Sequence, residues 1–319
     1  MSQKKKLSKR LLAIIIPIAV AAVILSAILI TNIFIPVKYL SAYINLSTDK
    51  LRDGEMRVSF IDVGNGDCTL IEFPDGKVAL IDGGSGSYNN QLKIFKKLNS
   101  SKINKIDYLF CTSSAAKRCG GLAEIVKYKE VGKIYAPIYK NTGATDEYRN
   151  FVKQVRNKNK EINECTYGAG CYSEECGYCV WVLYPAKSVS GSEDNLRAPA
   201  IWISYGGTSV LLLGDLSSTE MSGFLESYTV SGFEIGGHSI ILEDCNVIKV
   251  PGGIEAGGAL IALCDLTKPE TAILSTDDAT FSLIADIGHF ANGNIYRTGV
   301  NGTVTLSISD GKYAVKKER

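Results

Sequence analysis

Histidine is almost missing from this chain: its 319 residues include only His238 and His289. That count leaves little room for a hydrolase whose metal centre is built from several imidazoles. Proline is scarce at 8, whereas Gly reaches 31 and Tyr 16. Many glycines among many aromatics predict strands joined by tight turns. Acidic residues are absent from residues 1–38, whose charged residues are Lys4, Lys5, Lys6, Lys9, Arg10 and Lys38. Taking those six from the 35 basic residues leaves 29 against 33 acidic ones, net −4 over residues 39–319. The formal charge of +2 for the whole chain therefore misleads. A mildly acidic body has no general pull on nucleic acid, and no autonomous nucleic-acid binding is expected. With 45% hydrophobic and 21% charged residues, a disordered or fibrous chain is excluded too.

Charge is also missing from Leu11 to Val37, a run of 27 residues. As a helix such a run spans roughly 40 Å, enough to cross a hydrocarbon core of ~30 Å with tilt. Pro17, near its start, is tolerable in a membrane helix. The five basic residues before it place the N-terminus in the cytoplasm and the body outside. The rival is a cleaved signal peptide, but the apolar core is too long and no small-x-small site follows cleanly. The expected organisation is a cytoplasmic basic tail (1–10), a transmembrane helix (11–37), a short stalk (38–54) and one domain (55–315). The protein is then a single-pass cell-membrane protein with an extracytoplasmic C-terminal domain.

In the body, Met56–Phe60, Cys68–Phe73 and Val78–Ile81 read as strands, joined by the turns Asp62–Asp67 and Pro74–Lys77. The second turn has a mechanism, since Pro fixes φ and Gly accepts the positive φ. Helices are expected at Gln91–Leu98, Gly121–Tyr128 and Glu147–Lys158, and a further one at Thr280–His289. Buried strands are expected at Tyr108–Cys111, Lys133–Ala136, Cys179–Tyr184, Ala200–Tyr205, Ser209–Leu213, Val247–Val250 and Ala272–Ser275. Gly206-Gly207 is a hairpin signal. Asn294–Thr298 and Thr303–Ser307 are read as a closing hairpin through Asn301-Gly302. Hairpins first, then strands alternating with helices, then the same again, suggest two sheets packed together with helices outside.

The stretch Val58–Gly84, with Phe60-Ile61-Asp62-Val63-Gly64-Asn65-Gly66-Asp67 and Ile81-Asp82-Gly83-Gly84, carries a specific likeness. It resembles the opening of metallo-β-lactamase-fold domains of the kind found at the C-terminal end of the DNA-uptake channel ComEC. Asp107–Leu122, Ala200–Asp215, Lys249–Gly258 and Ile295–Thr303 resemble later parts of that family in the same order. The resemblance covers about residues 56–315 and implies an α/β fold, a four-layer αββα sandwich. In that family T-H-x-H-x-D-H follows a short strand and holds the metal. Here the run is Thr112-Ser113-Ser114-Ala115-Ala116-Lys117-Arg118, with Cys119-Gly120-Gly121-Leu122 fixing the register. Ser113, Ala115, Lys117 and Arg118 stand at the ligand positions, and the later His-His-Gly-Ser after Lys-Val-Pro is replaced by Gly252-Gly253-Ile254-Glu255. Asp215 is the one ligand-type residue kept, and the final T-D is Thr298-Gly299.

A divalent ion is held by neutral imidazole, thiolate or carboxylate. Alanine donates nothing, and Lys117 and Arg118 bring fixed positive charge to the place of a dication. Without metal, the hydroxide nucleophile of this fold is not generated at neutral pH. The resemblance implies that Asp67, Asp82 and Asp215 face the pocket. Three neighbouring carboxylates require counter-charge, so Lys117 and/or Arg118 paired with Asp215 and Asp82 are expected in the metal's structural role. Two other readings stand beside this: the basic pair points into solvent, or it binds a phosphate with help from the Gly120-Gly121 amides. The glycine turns match no P-loop or dinucleotide fingerprint.

Nine cysteines is an odd count. Cys68, Cys111, Cys119, Cys245 and Cys264 read as buried small hydrophobes, with Cys111 and Cys119 able to pair. Cys165, Cys171, Cys176 and Cys179 fall within fifteen residues. They read as a disulfide cluster, as a structural zinc site, or as free thiols with or without a redox Cys176–Cys179 pair. His238 and His289 lack a second imidazole at ligand spacing and read as solvated or capping residues. The composite expectation is a membrane-anchored pseudo-hydrolase without catalytic residues, metal or cofactor. It would bind or scaffold a protein or small-molecule ligand. The alternative is a nuclease- or phosphodiesterase-type hydrolase with a reworked centre linked to DNA uptake. That centre would use Asp67, Asp82, Asp215 and a Ser113–Lys117 dyad.

Overall fold

The computed structural model describes residues 9–34, 37–44, 50–139, 144–185, 198–229, 231–250, 257–276 and 294–319. The expected helix at Thr280–His289, His289 itself and Gly252–Glu255 lie outside the described residues. Helix α1 (Lys9–Phe34) contains Ala13–Ile30, long and apolar enough to cross a membrane, with none of that window buried in the protein. Val37–Tyr43 forms a 3-10 helix.

Strands in the body form because apolar runs of four to seven residues alternate with glycine-bearing turns. The first sheet contains β1 (Met56–Phe60), β2 (Thr69–Glu72), β3 (Val78–Ile81), β4 (Lys105–Phe110), β5 (Glu130–Ala136) and β6 (Ile162–Glu164). The second contains β7 (Gly170–Ser173), β8 (Tyr178–Tyr184), β9 (Ala200–Tyr205) and β10 (Thr208–Leu212). A small hairpin, β11 (Phe233–Ile235) with β12 (His238–Ile240), stands apart from both. The second sheet continues with β13 (Val247–Val250), β14 (Thr271–Leu274) and β15 (Ile295–Arg297), and β16 (Val304–Ser309) with β17 (Lys312–Lys317) return to the first. The strand orders are β17-β16-β1-β2-β3-β4-β5-β6 and β15-β14-β13-β10-β9-β8-β7.

The central strands are covered on both faces, so β3, β8, β10, β13 and β14 are buried at every position rather than at alternate ones. Val58, Ile71 and Ile81 of the first sheet meet Ile203, Val210 and Val247 of the second in the central core. Leu80, Ile106 and Leu109 face outward onto α2 (Tyr88–Ser100), α4 (Leu122–Tyr128) and α5 (Asp146–Asn157). Trp202, Leu211 and Ile248 face outward onto α6 (Ser218–Ser227) and α7 (Gly258–Thr267). The layers therefore run helix, sheet, sheet, helix, as the sequence suggests.

Two local expectations are corrected. Asn294–Thr298 and Thr303–Ser307 are not a hairpin: β15 pairs in parallel with β14, whereas β16 pairs antiparallel with β1 in the other sheet. The helical turn Thr298–Asn301 carries the chain across, and the hairpin partner of β16 is β17, through Asp310-Gly311. The segment read as a stalk is, over residues 38–43, docked on the domain. Tyr39 stacks on Tyr88 and Phe95 at centroid distances of 5.6 and 5.0 Å, and Lys38 pairs with Glu124 at 3.0 Å.

Candidate functional site: a buried ion-pair cluster

Four loops meet at one end of the sandwich: the β1–β2 turn that carries Asp67 and the segments that follow β3, β4 and β10. Backbone hydrogen bonds tie them together. The Asp67 amide donates to Lys117 O (3.2 Å), Gly83 to Arg118 O (2.8 Å), Gly84 to Asp67 O (2.8 Å) and Asp82 to Phe110 O (2.8 Å). Glycine is required where the chains touch: a Cβ on Gly66 would lie 2.5 Å from the Lys117 carbonyl oxygen. Asp82 itself sits at φ 61°, a left-handed conformation that Asp tolerates better than most residues. The four-residue helix α3 (Ala116–Cys119) then swings Arg118 inward, where it is only 2% exposed.

Arg118 is the centre of the site. Its guanidinium lies against Asp67, stands 3.9 Å from Asp82 and 3.2 Å from Asp215, and donates to the Gly214 carbonyl at 2.9 Å. Lys117 stays on the half-exposed rim and reaches Asp215 Oδ1 at 2.9 Å. Asp82 accepts from the Thr112 amide (2.7 Å) and from the Thr112 hydroxyl (2.6 Å). The buried ammonium of Lys249, on β13, bonds Asp67 on the carboxylate oxygen that Arg118 leaves free. Three acidic side chains thus meet three basic ones.

The electrostatics follow from burial. Desolvation pushes the Asp82 carboxyl up to about 7, although the two Thr112 bonds favour its charged form. Burial would also raise Asp215, but Arg118 and Lys117 together hold it below the usual aspartate range. Burial lowers Arg118 and lowers Lys249 well below an ordinary lysine. For Lys249 the nearby Arg118 charge adds to the effect, and Asp82 and Asp215 oppose it.

The structure brings Asp67, Asp82, Arg118, Lys117 and Asp215 together. The balance differs from the sequence reading, in which Lys117 and Arg118 are interchangeable: Arg118 is internal and Lys117 peripheral. Ser113 does not join. Its hydroxyl accepts from the Ala115 amide at 3.2 Å, and Lys117 is engaged by Asp215 instead of forming a dyad with it. The phosphate reading also fails, because the Gly120 and Gly121 amides already donate to Ala116 O and Gly84 O. Sequence reasoning missed Lys249 and Thr112. The signal for Lys249 was a lone cation inside the apolar strand Val247-Ile248-Lys249-Val250, where burial demands a carboxylate partner.

The donor chemistry does not fit a divalent ion. The carboxylates at the site are bonded by Arg118, Lys249, Lys117 and Thr112, and an ion there would meet two buried cations. Among the described residues no group of three or more His, Cys, Asp or Glu is placed so that it could hold a metal ion. Among the described residues, the cavity beside Asp67, Asp82, Thr112 and Lys249 is about 10 Å³, room for roughly one water. A larger cleft of about 470 Å³ lies at the other end, by Ser209, Asn246 and Lys268 at the N-terminal ends of β10, β13 and β14.

Of the readings open to the cysteine cluster, the structure carries the one with neither bridge nor metal. Cys165, Cys171, Cys176 and Cys179 are free thiols, as are the other five. In the register of β7 with β8, Cys171 faces Val180 while Cys179 faces Tyr172. Adjacent positions on a strand point to opposite faces, so Cys171 enters the central core and Cys179 the outer one. Cys111 and Cys119 are buried, and their thiols donate to Ser113 O and Ser114 O. His238, half-buried on β12, packs against Tyr172 and Trp181.

No family model and no curated protein matches the chain. Solved structures with a similar arrangement include YhfI, a metallo-β-lactamase fold protein from Bacillus subtilis. That similarity has 12% identity and a TM-score of 0.49, covering 76% of this chain and 96% of that one. Another is CmlA, a diiron β-hydroxylase from Streptomyces venezuelae, with 13% identity and a TM-score of 0.49 over 79% of this chain. The chain spans about half of CmlA, 54% of its length.

Proposed function

We propose that this protein is a membrane-anchored, extracytoplasmic member of the metallo-β-lactamase-like sandwiches, akin to the ComEC hydrolase domain. In this reading side-chain cations have replaced the metal, and the domain acts in binding or scaffolding rather than hydrolysis. The observation that carries the reading is Arg118. Its guanidinium occupies the point on which Asp67, Asp82 and Asp215 converge, at the C-terminal strand ends. The ordered run of five motif-like stretches supports the kinship, and the apolar α1 supports the anchor. A guanidinium delivers positive charge and directed hydrogen bonds, so it can hold the loops together. It offers no open coordination position and cannot acidify a water. The site would thus keep the structural half of a metal's work and lose the catalytic half.

The test is metal content of the detergent-solubilised full chain after incubation with zinc and with manganese, read by elemental mass spectrometry. Less than one-tenth equivalent is expected, with no turnover of a chromogenic phosphodiester. One equivalent of metal that is lost in Asp67→Asn would overturn the proposal and revive the hydrolase.

A further inference from the structure

The 3-10 segment Val37–Tyr43, kinked at Tyr39, has a buried side and an exposed one. Tyr39 and Ala42 face inward and are buried. Val37 and Leu40 are 39% and 47% exposed, and neighbouring Tyr88 is 51%. Val37 and Leu40 lie outside the core, and Val37 comes three residues after the last residue of α1.

The direction of docking is fixed by the contacts. Lys38 and Tyr39 touch Glu124 and Tyr88, the first turns of α4 and α2. The Ala42 carbonyl accepts from Asn99 near the far end of α2, at 2.8 Å. The segment therefore runs along α2 in the same sense, starting where α2 starts. That is the end of the sandwich holding Arg118 and its carboxylates, since Gly83 and Gly84 just before α2 are bonded to Arg118 and Asp67. Phe34, the last residue of α1, lies three residues before Val37. Three residues span at most ~11 Å of extended chain.

We infer that Val37, Leu40 and Tyr88 seat the domain on the outer leaflet of the bilayer, holding the ion-cluster end of the sandwich toward the membrane. The inference rests on the reading of α1 as an anchor. A lipid surface is the occupant because α1 delivers these residues to the membrane–water boundary. Aliphatic side chains and a tyrosine suit that boundary. A stacked and ion-paired joint, in place of a loose stalk, keeps the domain from tumbling. Any partner of the cluster end would then have to approach laterally or belong to the membrane itself.

The experiment reconstitutes the full chain in phosphatidylcholine vesicles with and without lipid brominated high on the acyl chain. Tyr88→Trp and Leu40→Trp are compared with Lys312→Trp, which lies at the opposite end beside the Asp310-Gly311 turn. The unsubstituted protein supplies the background from the buried Trp181 and Trp202. Emission of Tyr88→Trp and Leu40→Trp is expected to be lost in brominated vesicles, whereas that of Lys312→Trp is retained. Two sites are probed so that a misfolded variant, recognised by its melting curve, does not decide the matter. Alkaline carbonate extraction is run in parallel. A chain retained in the membrane whose two lip tryptophans stay bright overturns the seating but leaves the anchor, including where cross-linking shows a second copy covering Val37, Leu40 and Tyr88. A chain released by carbonate overturns both.

Discussion

At the scale of single residues, Arg118 and Lys117 separate two meanings of a salt bridge. Lys117 reaches Asp215 from a rim position with its side chain 38% exposed, so water and salt compete for both partners. Such pairs contribute roughly 0–1 kcal/mol. Arg118 is enclosed, and its removal would leave Asp67 and Asp82 buried with less counter-charge. Breaking a buried ionic cluster by deleting one partner costs about 3–5 kcal/mol. Lys117→Met is therefore expected to leave the urea midpoint of the full chain nearly unchanged, and Arg118→Met to lower it steeply or abolish folding. Equal effects of the two substitutions would show that the internal position of Arg118 is immaterial. Arg118→Lys provides the graded case: a lysine keeps the charge but loses the fork, in which Nη1 lies on Asp67 while Nη2 reaches Gly214 and Asp215.

At the scale of elements, β13 shows where the sequence was readable and where it was not. Val247–Val250 is legible as a buried strand from its apolar run, but its position between β10 and β14 is a tertiary fact. In that register Lys249 stands beside Leu212 and Ile273, with no polar neighbour on either flanking strand. Among the described residues, its ion-pair partner comes from the turn that folds Asp67 across the end of the sandwich. The same limit explains β15 and β16, whose turn-like Asn301-Gly302 suggested a hairpin although each strand pairs in a different sheet. The short strands β6 and β7 escaped because their burial is partial and their residues mixed. Helix α6, by contrast, was legible and overlooked: Ser217 and Glu220 form a reciprocal capping box. The Lys249–Asp67 pair makes a double-mutant prediction. Lys249→Met alone strips Asp67 of one of its two cations and is expected to cost about 3 kcal/mol. Lys249→Met combined with Asp67→Asn removes both charges and is expected to cost less than Lys249→Met alone. The cycle, measured by urea denaturation, yields a coupling energy of about 1–3 kcal/mol. Strict additivity would mean that the two groups do not interact in the folded chain.

At the scale of the whole molecule, the cluster is the place where four loops from two sheets are joined, so its protonation state is a term in global stability. Asp82 sets the sign. In the unfolded chain an aspartate titrates near 3.8, whereas burial holds the folded Asp82 at about 7. Between those values the folded protein keeps a proton that the unfolded chain has released. Stability from this group therefore falls as pH rises through the window. Asp215 acts in the opposite sense, because its folded value lies below the ordinary one: its contribution is present above about 3.8 and is lost as pH falls through the folded value. The two effects separate on the pH axis, with Asp215 governing the acid limb and Asp82 the stretch from about 4 to 7. Asp82→Asn isolates the second. Asparagine accepts the left-handed backbone at this position, can receive the Thr112 amide bond through its carbonyl and can donate its own N–H to the Thr112 hydroxyl. It mimics the protonated aspartate and cannot release a proton. The melting temperature of the full chain is expected to decline between pH 5 and 7 in the unsubstituted protein, and this decline is expected to flatten in Asp82→Asn, with the variant gaining relative to the parent toward pH 7. Thermal scans across that range in buffers of matched ionic strength check it. A decline of equal slope in both proteins would place the titrating group elsewhere and remove Asp82 from the account of how the cluster holds the sandwich closed.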